Sequence, residues 1–242
     1  MIRGFWLYGA LAVLLQALVA CGQPTQSTNG DAASAKGNAA VPKAVEATYD
    51  RLVVVFGDSL YAGYKLAPNE GLAPQLQAAL QAAGMNARVH NAGVSGDTTA
   101  AGKTRLGFVL DNLDRKPDLV VLGLGGNDML RGTKPKETRS NMVAMLDELK
   151  KRDIPVVLTG MLASPNMGAD YADGFNPIFP QLAKQYSAPL YPFFLEGVVT
   201  ERALMLPDGV HPNAKGVARV VEGLSPLVEA ALKANNDTVL EK

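Results

Sequence analysis

The chain has 242 residues, enough for one large domain or two small ones, and its 48% hydrophobic and 19% charged content supports a packed core and excludes global disorder. Lys plus Arg and Asp plus Glu balance at 23 each, without the basic excess that electrostatic binding of nucleic acid requires. One cysteine, Cys21, and two histidines, His90 and His211, exclude an intramolecular disulfide and the usual His/Cys-rich zinc sites, so no metal is expected.

Arg3 precedes an almost wholly apolar run over residues 5–19, interrupted only by Gln16. The run is short for a bilayer span, which takes about 20 apolar residues. It reads instead as the core of a secretory signal occupying residues 1–20. The run ends Leu18-Val19-Ala20-Cys21, which resembles the lipobox of bacterial lipoproteins. That resemblance implies cleavage before Cys21, lipidation of Cys21 and a membrane anchor in the cell envelope. Gly22, where Asp would favour the inner membrane, leans toward the outer membrane. The alternative is an ordinary signal and a soluble periplasmic or secreted protein. Residues 22–48 are rich in Ala, Ser, Thr, Asn, Gln and Gly, so residues 21–48 read as a lipid-bearing Cys and a flexible linker. Such a coil spans roughly 30 Å end to end. Residues 49–242 form the expected folded domain.

Within that domain strands and helices alternate. Residues 51–56 carry a continuous five-residue apolar run centred on three β-branched valines and read as a buried strand. Residues 72–83 read as a helix ending at Gly84, and 87–90 as a short strand. Residues 99–113 read as a helix weakened by Gly102 and Gly107. Residues 118–124 are a second strong strand. Residues 136–152 form the clearest amphipathic helix, with Met142, Met145, Leu146 and Leu149 on one face. Residues 154–159 are a third strong strand. A helix over 176–186, a weaker strand over 189–194 and a helix over 213–233, broken near Ser225-Pro226, close the chain. This alternation predicts an α/β fold, a three-layer α/β/α sandwich with a mainly parallel sheet of about five strands. Sites in such folds lie beyond the carboxyl ends of the strands.

Four small polar clusters fall at those ends: Gly57-Asp58-Ser59-Leu60, residues 91–98, Gly125-Gly126-Asn127-Asp128 and Asp208-Gly209-Val210-His211-Pro212. A serine hydroxyl needs a base to become a nucleophile. His211 has Asp208 three residues earlier, while His90 has no comparable acid and reads as structural. Asp208 can hold one ring nitrogen of His211 and leave the other for a serine. Ser59 follows a strong strand at the start of a helix, where its own N–H and the first helical amides can face an oxyanion. Ser95 is the second candidate. Neither serine fits the Gly-x-Ser-x-Gly nucleophile elbow. Gly96 and Asn127 are candidate oxyanion donors, though each also reads as an ordinary loop residue. Asp58, Asp97 and Asp128 are expected to brace their own loops.

In order, these four clusters resemble the blocks of the SGNH hydrolases, also called the GDSL family, and most closely its secreted thioesterase I, lysophospholipase and arylesterase branch. The resemblance spans residues 51–233. It implies an SGNH-type, flavodoxin-like fold, Ser59 as nucleophile, His211 as base with Asp208 as its partner, and an oxyanion hole of the Ser59 N–H, the Gly96 N–H and the Asn127 side chain. It implies hydrolysis of small acyl-ester or lipid substrates through an acyl-enzyme, with no cofactor and no obligate protein partner. A carbohydrate O-acetylesterase, or a non-catalytic surface lipoprotein on the same fold, are the alternatives. Residues 129–135 and 161–175 are expected to be loops. Met161, Met167 and Tyr171 either line an acyl groove or simply pack the second loop.

Overall fold

The structure, a computed structural model, describes residues 48–240, with the side chains of residues 48–234. The expected signal, Cys21 and nearly all of the linker lie outside the described residues. Among the described residues no helix is long and apolar enough to cross a membrane.

The elements run β1 (Arg51–Gly57), α1 (Ser59–Ala62), α2 (Leu72–Ala82), β2 (Ala87–Gly93), α3 (Thr99–Asp111), β3 (Leu119–Gly123), α4 (Gly126–Leu130), α5 (Pro135–Lys151), β4 (Val156–Thr159), α6 (Ala169–Phe175), α7 (Ile178–Tyr186), β5 (Leu190–Tyr191) and α8 (Ala214–Leu240). The five strands pair in parallel in the order β2-β1-β3-β4-β5. The chain therefore leaves β1 toward β2 on one side and returns to β3 on the other. The carboxyl ends of β1 and β3 flank the resulting switch point, where doubly wound sheets bind their ligands.

Alternation along the strands divides the core into two layers. Val53 and Val55 of β1, with Leu119 and Val121 of β3, face the apolar stripes of α2 and α8. Val54 and Phe56, with Val120 and Leu122, face α3, α5 and α7 on the other side. All eight side chains are fully buried, which explains why β1 and β3 are nearly uninterrupted hydrophobic runs. Glycine is required where the strands meet their helices. A Cβ at Gly57 or Gly123 would collide with the Tyr61 ring, which crosses beneath the carboxyl ends of both strands and hydrogen-bonds Thr159.

Three elements depart from the sequence expectations. The terminal helix does not break at Ser225-Pro226. Pro226 lies inside a continuous α8, where Val217, Val220, Val221, Leu224, Val228 and Leu232 bury one long stripe against the sheet. That burial outweighs the hydrogen bond a proline removes. The last strand contracts to Leu190–Tyr191. Beyond it the backbone stays tied to Gly160, whose N–H donates to Tyr191 O at 2.7 Å and whose carbonyl accepts from the Phe194 N–H at 2.9 Å. Residues 161–175 are not a bare loop, since they contain a 3₁₀ turn over Pro165–Met167 and the helix α6.

Candidate active site

The site is assembled at the carboxyl rim of the sheet. β1 ends at Gly57, and Asp58 caps the single turn of α1 by accepting from the Leu60 N–H at 3.0 Å. Tyr61 and Ala62 also donate their N–H groups to the Asp58 carbonyl. Three of the first amides of α1 are thereby spent, and the broad set of helix donors anticipated around Ser59 narrows to the Ser59 N–H.

The second histidine arrives from the other end of the chain. Residues 205–212 form a tight hairpin-like loop. The Leu206 N–H donates to His211 O at 2.7 Å, and Gly209 takes a left-handed φ of 67° as its N–H donates to Leu206 O. Asn213 clamps the loop base. Its Oδ1 accepts from the N–H groups of Lys215 and Gly216 at the start of α8, and its Nδ2 donates to Ala203 O at 2.8 Å. Asp208 Oδ1 accepts from the N–H groups of Val210 and His211, both at 3.0 Å. Its Oδ2 lies 3.0 Å from His211 Nδ1. His211 Nε2 lies 2.8 Å from Ser59 Oγ. The structure thus brings Ser59, His211 and Asp208 into one hydrogen-bonded line across 152 residues of sequence. The two backbone N–H donors and the imidazole hold the Asp208 carboxyl down at about 2.

Gly96 and Asn127 meet the same cleft. Gly96 has a φ of 87°, which favours glycine, and the Arg131 guanidinium holds its carbonyl at 2.8 Å. Asn127 sits in the first turn of α4, which follows Gly125 at a φ of 119°. Its Nδ2 donates to Asp97 O at 3.0 Å and lies 3.4 Å from Asp58 Oδ2. Ser95 lines the cleft too, but the imidazole nitrogen faces Ser59. His90 lies in β2, paired in register with Val54, and does not line the cleft. Its partial burial and the nearby Arg88 lower its proton affinity.

The three aspartates brace more than their own loops. Asp58 is 3% exposed, and burial pushes its carboxyl up to about 6. Asp97 pairs with Arg105 at 2.6 Å, and Arg105 in turn donates to Gly57 O and stacks over Phe56. Asp128 is fully buried and accepts from the Thr99 N–H at 2.7 Å and from the hydroxyls of Thr99 and Thr138. These bonds tie the loop after β3 to the start of α3 and to α5, so the strand-end loops hold one another.

The cleft has a volume of about 250 Å³ and is lined chiefly by apolar groups: Tyr64, Met129, Leu130, Met161, Leu195 and Val210. Of the two readings for the 161–175 segment, Met161 reaches the cleft, while Met167 and Tyr171 pack against the α5–α7 side of the core. Tyr171 Oη also donates to Thr133 O at 2.9 Å, joining that segment to the one after α4. Tyr64, Leu195 and Val210 carried no sequence signal as cleft residues. A larger depression of about 530 Å³, lined in part by Lys150, Pro155 and Pro189, lies at the opposite rim of the sheet, away from every polar strand-end cluster. Among the described residues no group of three or more His, Cys, Asp or Glu side chains is arranged to hold a metal.

A serine, an imidazole and a carboxylate in line at the switch point of a parallel sheet have the layout of a serine hydrolase. The GDSL-like lipase/acylhydrolase family matches residues 55–219, and the chain belongs to that family. It is similar to esterase TesA of Pseudomonas aeruginosa, 37% identical over 74% of this chain and 89% of the relative. It is also similar to an arylesterase of Vibrio mimicus, 39% identical over 70% and 84%. Among solved structures, the SGNH-hydrolase family esterase AlinE4 is 50% identical with a TM-score of 0.65, covering 75% of this chain and 96% of its own. The psychrotrophic esterase EstA from Pseudoalteromonas, solved as inhibited by monoethylphosphonate, is 28% identical with a TM-score of 0.70, covering 76% and 100%. The chain is an ester hydrolase with an α/β sandwich fold.

Proposed function

We propose that the protein hydrolyses acyl esters of the arylesterase, lysophospholipase or acyl-thioester type through a Ser59–His211–Asp208 triad and a covalent acyl-enzyme. The observation that carries this reading is the continuous contact from Asp208 Oδ2 through the imidazole to Ser59 Oγ, at 3.0 and 2.8 Å. Asp208, charged throughout the working pH range, fixes the imidazole with Nδ1 toward itself and Nε2 toward the hydroxyl. Nε2 takes the Ser59 proton as Oγ bonds to the acyl carbonyl carbon. The oxyanion forms between the Ser59 N–H, the Gly96 N–H and Asn127 Nδ2. The 3.4 Å contact of Nδ2 with Asp58 is long enough to yield to a charged oxygen. The tetrahedral intermediate collapses as His211 gives its proton to the leaving group, and water then repeats the sequence to free the acid. The apolar walls of the cleft suit the acyl chain.

A fluorophosphonate probe tests the assignment. It should label the wild-type protein and fail on a folded Ser59→Ala variant, whose turnover of p-nitrophenyl butyrate should fall by roughly 10⁴–10⁶-fold. Normal hydrolysis by that variant would sink the assignment. The N-terminal reading is proposed alongside it: a signal over residues 1–20 and a lipid anchor on Cys21 that hold the enzyme in the cell envelope. Metabolic labelling with a fatty acid, lost in Cys21→Ser, tests it, and an unlabelled mature chain would overturn it.

A further inference from the structure

The catalytic base is covered by an aromatic ring that the proton relay does not use. The Tyr64 ring centroid lies 4.4 Å from that of His211, with the planes inclined at 37°. The covering ring is delivered by the same turn that carries Ser59. Gly63 ends α1 at a φ of 77°, and its N–H donates to Ser59 O. The Tyr64 N–H donates to the same carbonyl at 3.2 Å. Lys65 then takes a φ of 57°, a left-handed conformation that strains a non-glycine residue. Two left-handed residues flanking Tyr64 turn the chain back so that its side chain lies over the imidazole. The ring already attends one cation, since Lys65 Nζ is 5.1 Å from its centroid.

We propose that Tyr64 is a positioning residue of the reaction: its ring braces the His211 imidazole against rotation and stabilises the imidazolium that forms when Ser59 gives up its proton. The inference rests on the triad reading above. Before the reaction the imidazole is neutral and gains only packing from the ring. Once the Ser59 proton has moved to Nε2, a full positive charge lies within 6 Å of an aromatic face, where cations are attracted by the ring quadrupole. The charge persists until Nε2 passes the proton to the leaving group, so the contact is stronger in the transition state than in the ground state and acts on kcat. The stack also helps keep Nδ1 on Asp208 while Nε2 exchanges its proton, a task that would otherwise fall to Asp208 alone.

Steady-state kinetics on p-nitrophenyl butyrate with two variants tests this, with thermal unfolding as the control for folding. Tyr64→Leu keeps an apolar cover but no π face. It should lose about ten-fold in kcat with KM within about two-fold, and its rate of fluorophosphonate labelling should fall in parallel. Tyr64→Phe keeps the face and should recover most of that loss. If Tyr64→Leu does not fold, Tyr64→Met provides the same comparison. Wild-type kcat in the aliphatic variant, an equal loss in Tyr64→Phe, or a loss confined to KM would each overturn the proposal. Failure of wild-type labelling at Ser59 would instead overturn the triad reading beneath it.

Discussion

Replacing Asp58 with asparagine should make the protein more stable and less active. Asp58 is nearly inaccessible, and burial lifts its carboxyl from 3.8 to about 6 against the lowering effect of the Leu60 N–H. Between those two values the native state holds a proton that the unfolded chain has released. Stability therefore falls as pH rises through that window, and at pH 8 the buried charge costs about 3 kcal/mol at 1.36 kcal/mol per factor of ten in proton affinity. Asparagine carries no charge and caps a helix as well as aspartate does. It gives up the long contact with Asn127, worth about 1 kcal/mol. The net expectation is a gain of about 2 kcal/mol at pH 8 that shrinks to nothing near pH 4, read by urea unfolding at both pH values. The activity cost follows from the attraction between the Asp58 charge and His211. Without it the imidazolium forms less readily, and kcat should fall several-fold. No gain at pH 8, or an equal gain at pH 4, would refute the assignment of a buried, destabilising charge beside Ser59.

Three further outcomes follow from the same geometry. Asn127→Ala removes a side-chain donor from the proposed oxyanion position and should cost about 10²–10³ in kcat with little change in KM, measured on p-nitrophenyl butyrate. Asp208→Asn should lower kcat by up to about 10⁴ by favouring the wrong imidazole tautomer; because the native carboxyl is held at about 2, protonation of Asp208 should leave no step in the wild-type pH–rate profile above pH 4. Met161→Phe adds bulk to the cleft wall and should shift preference toward shorter acyl chains across a p-nitrophenyl ester series, whereas the same change at Met167, which packs in the core layer, should leave the chain-length profile in place.

How much of this arrangement can be read without coordinates depends on the range of the forces that set it. β1 and β3 are legible because both of their faces are buried, so residues 52–56 and 119–122 are apolar without interruption. The amphipathic α5 is legible for the complementary reason, one buried stripe over 17 residues. Strand order is accessible only as a fold class, since local pattern says nothing of which strands pair. The polar clusters stand out because Gly, Ser, Asn and Asp at strand ends have few structural uses together. What escapes is whatever depends on distant partners. The turn of α4 starts with glycine, a poor helix former, and is secured by Asp128 reaching Thr99, 29 residues away. The continuity of α8 through Pro226 comes from burial against the sheet. Tyr64 carries no motif at all, and its place over His211 arises from two left-handed residues that sequence pattern does not announce. Asp58 reads locally as a cap, which it is, but its proximity to Asn127 spans 69 residues.

The central claim is that Ser59, activated by His211, carries the acyl group during turnover. Acid-quenching the enzyme within the first turnovers of p-nitrophenyl butyrate and mapping the modified peptide by mass spectrometry tests it most directly. The predicted result is a protein one butyryl group heavier, with the group on Ser59 and absent from His211→Ala. An adduct on Ser95, or brisk turnover with no adduct on any serine, would contradict it.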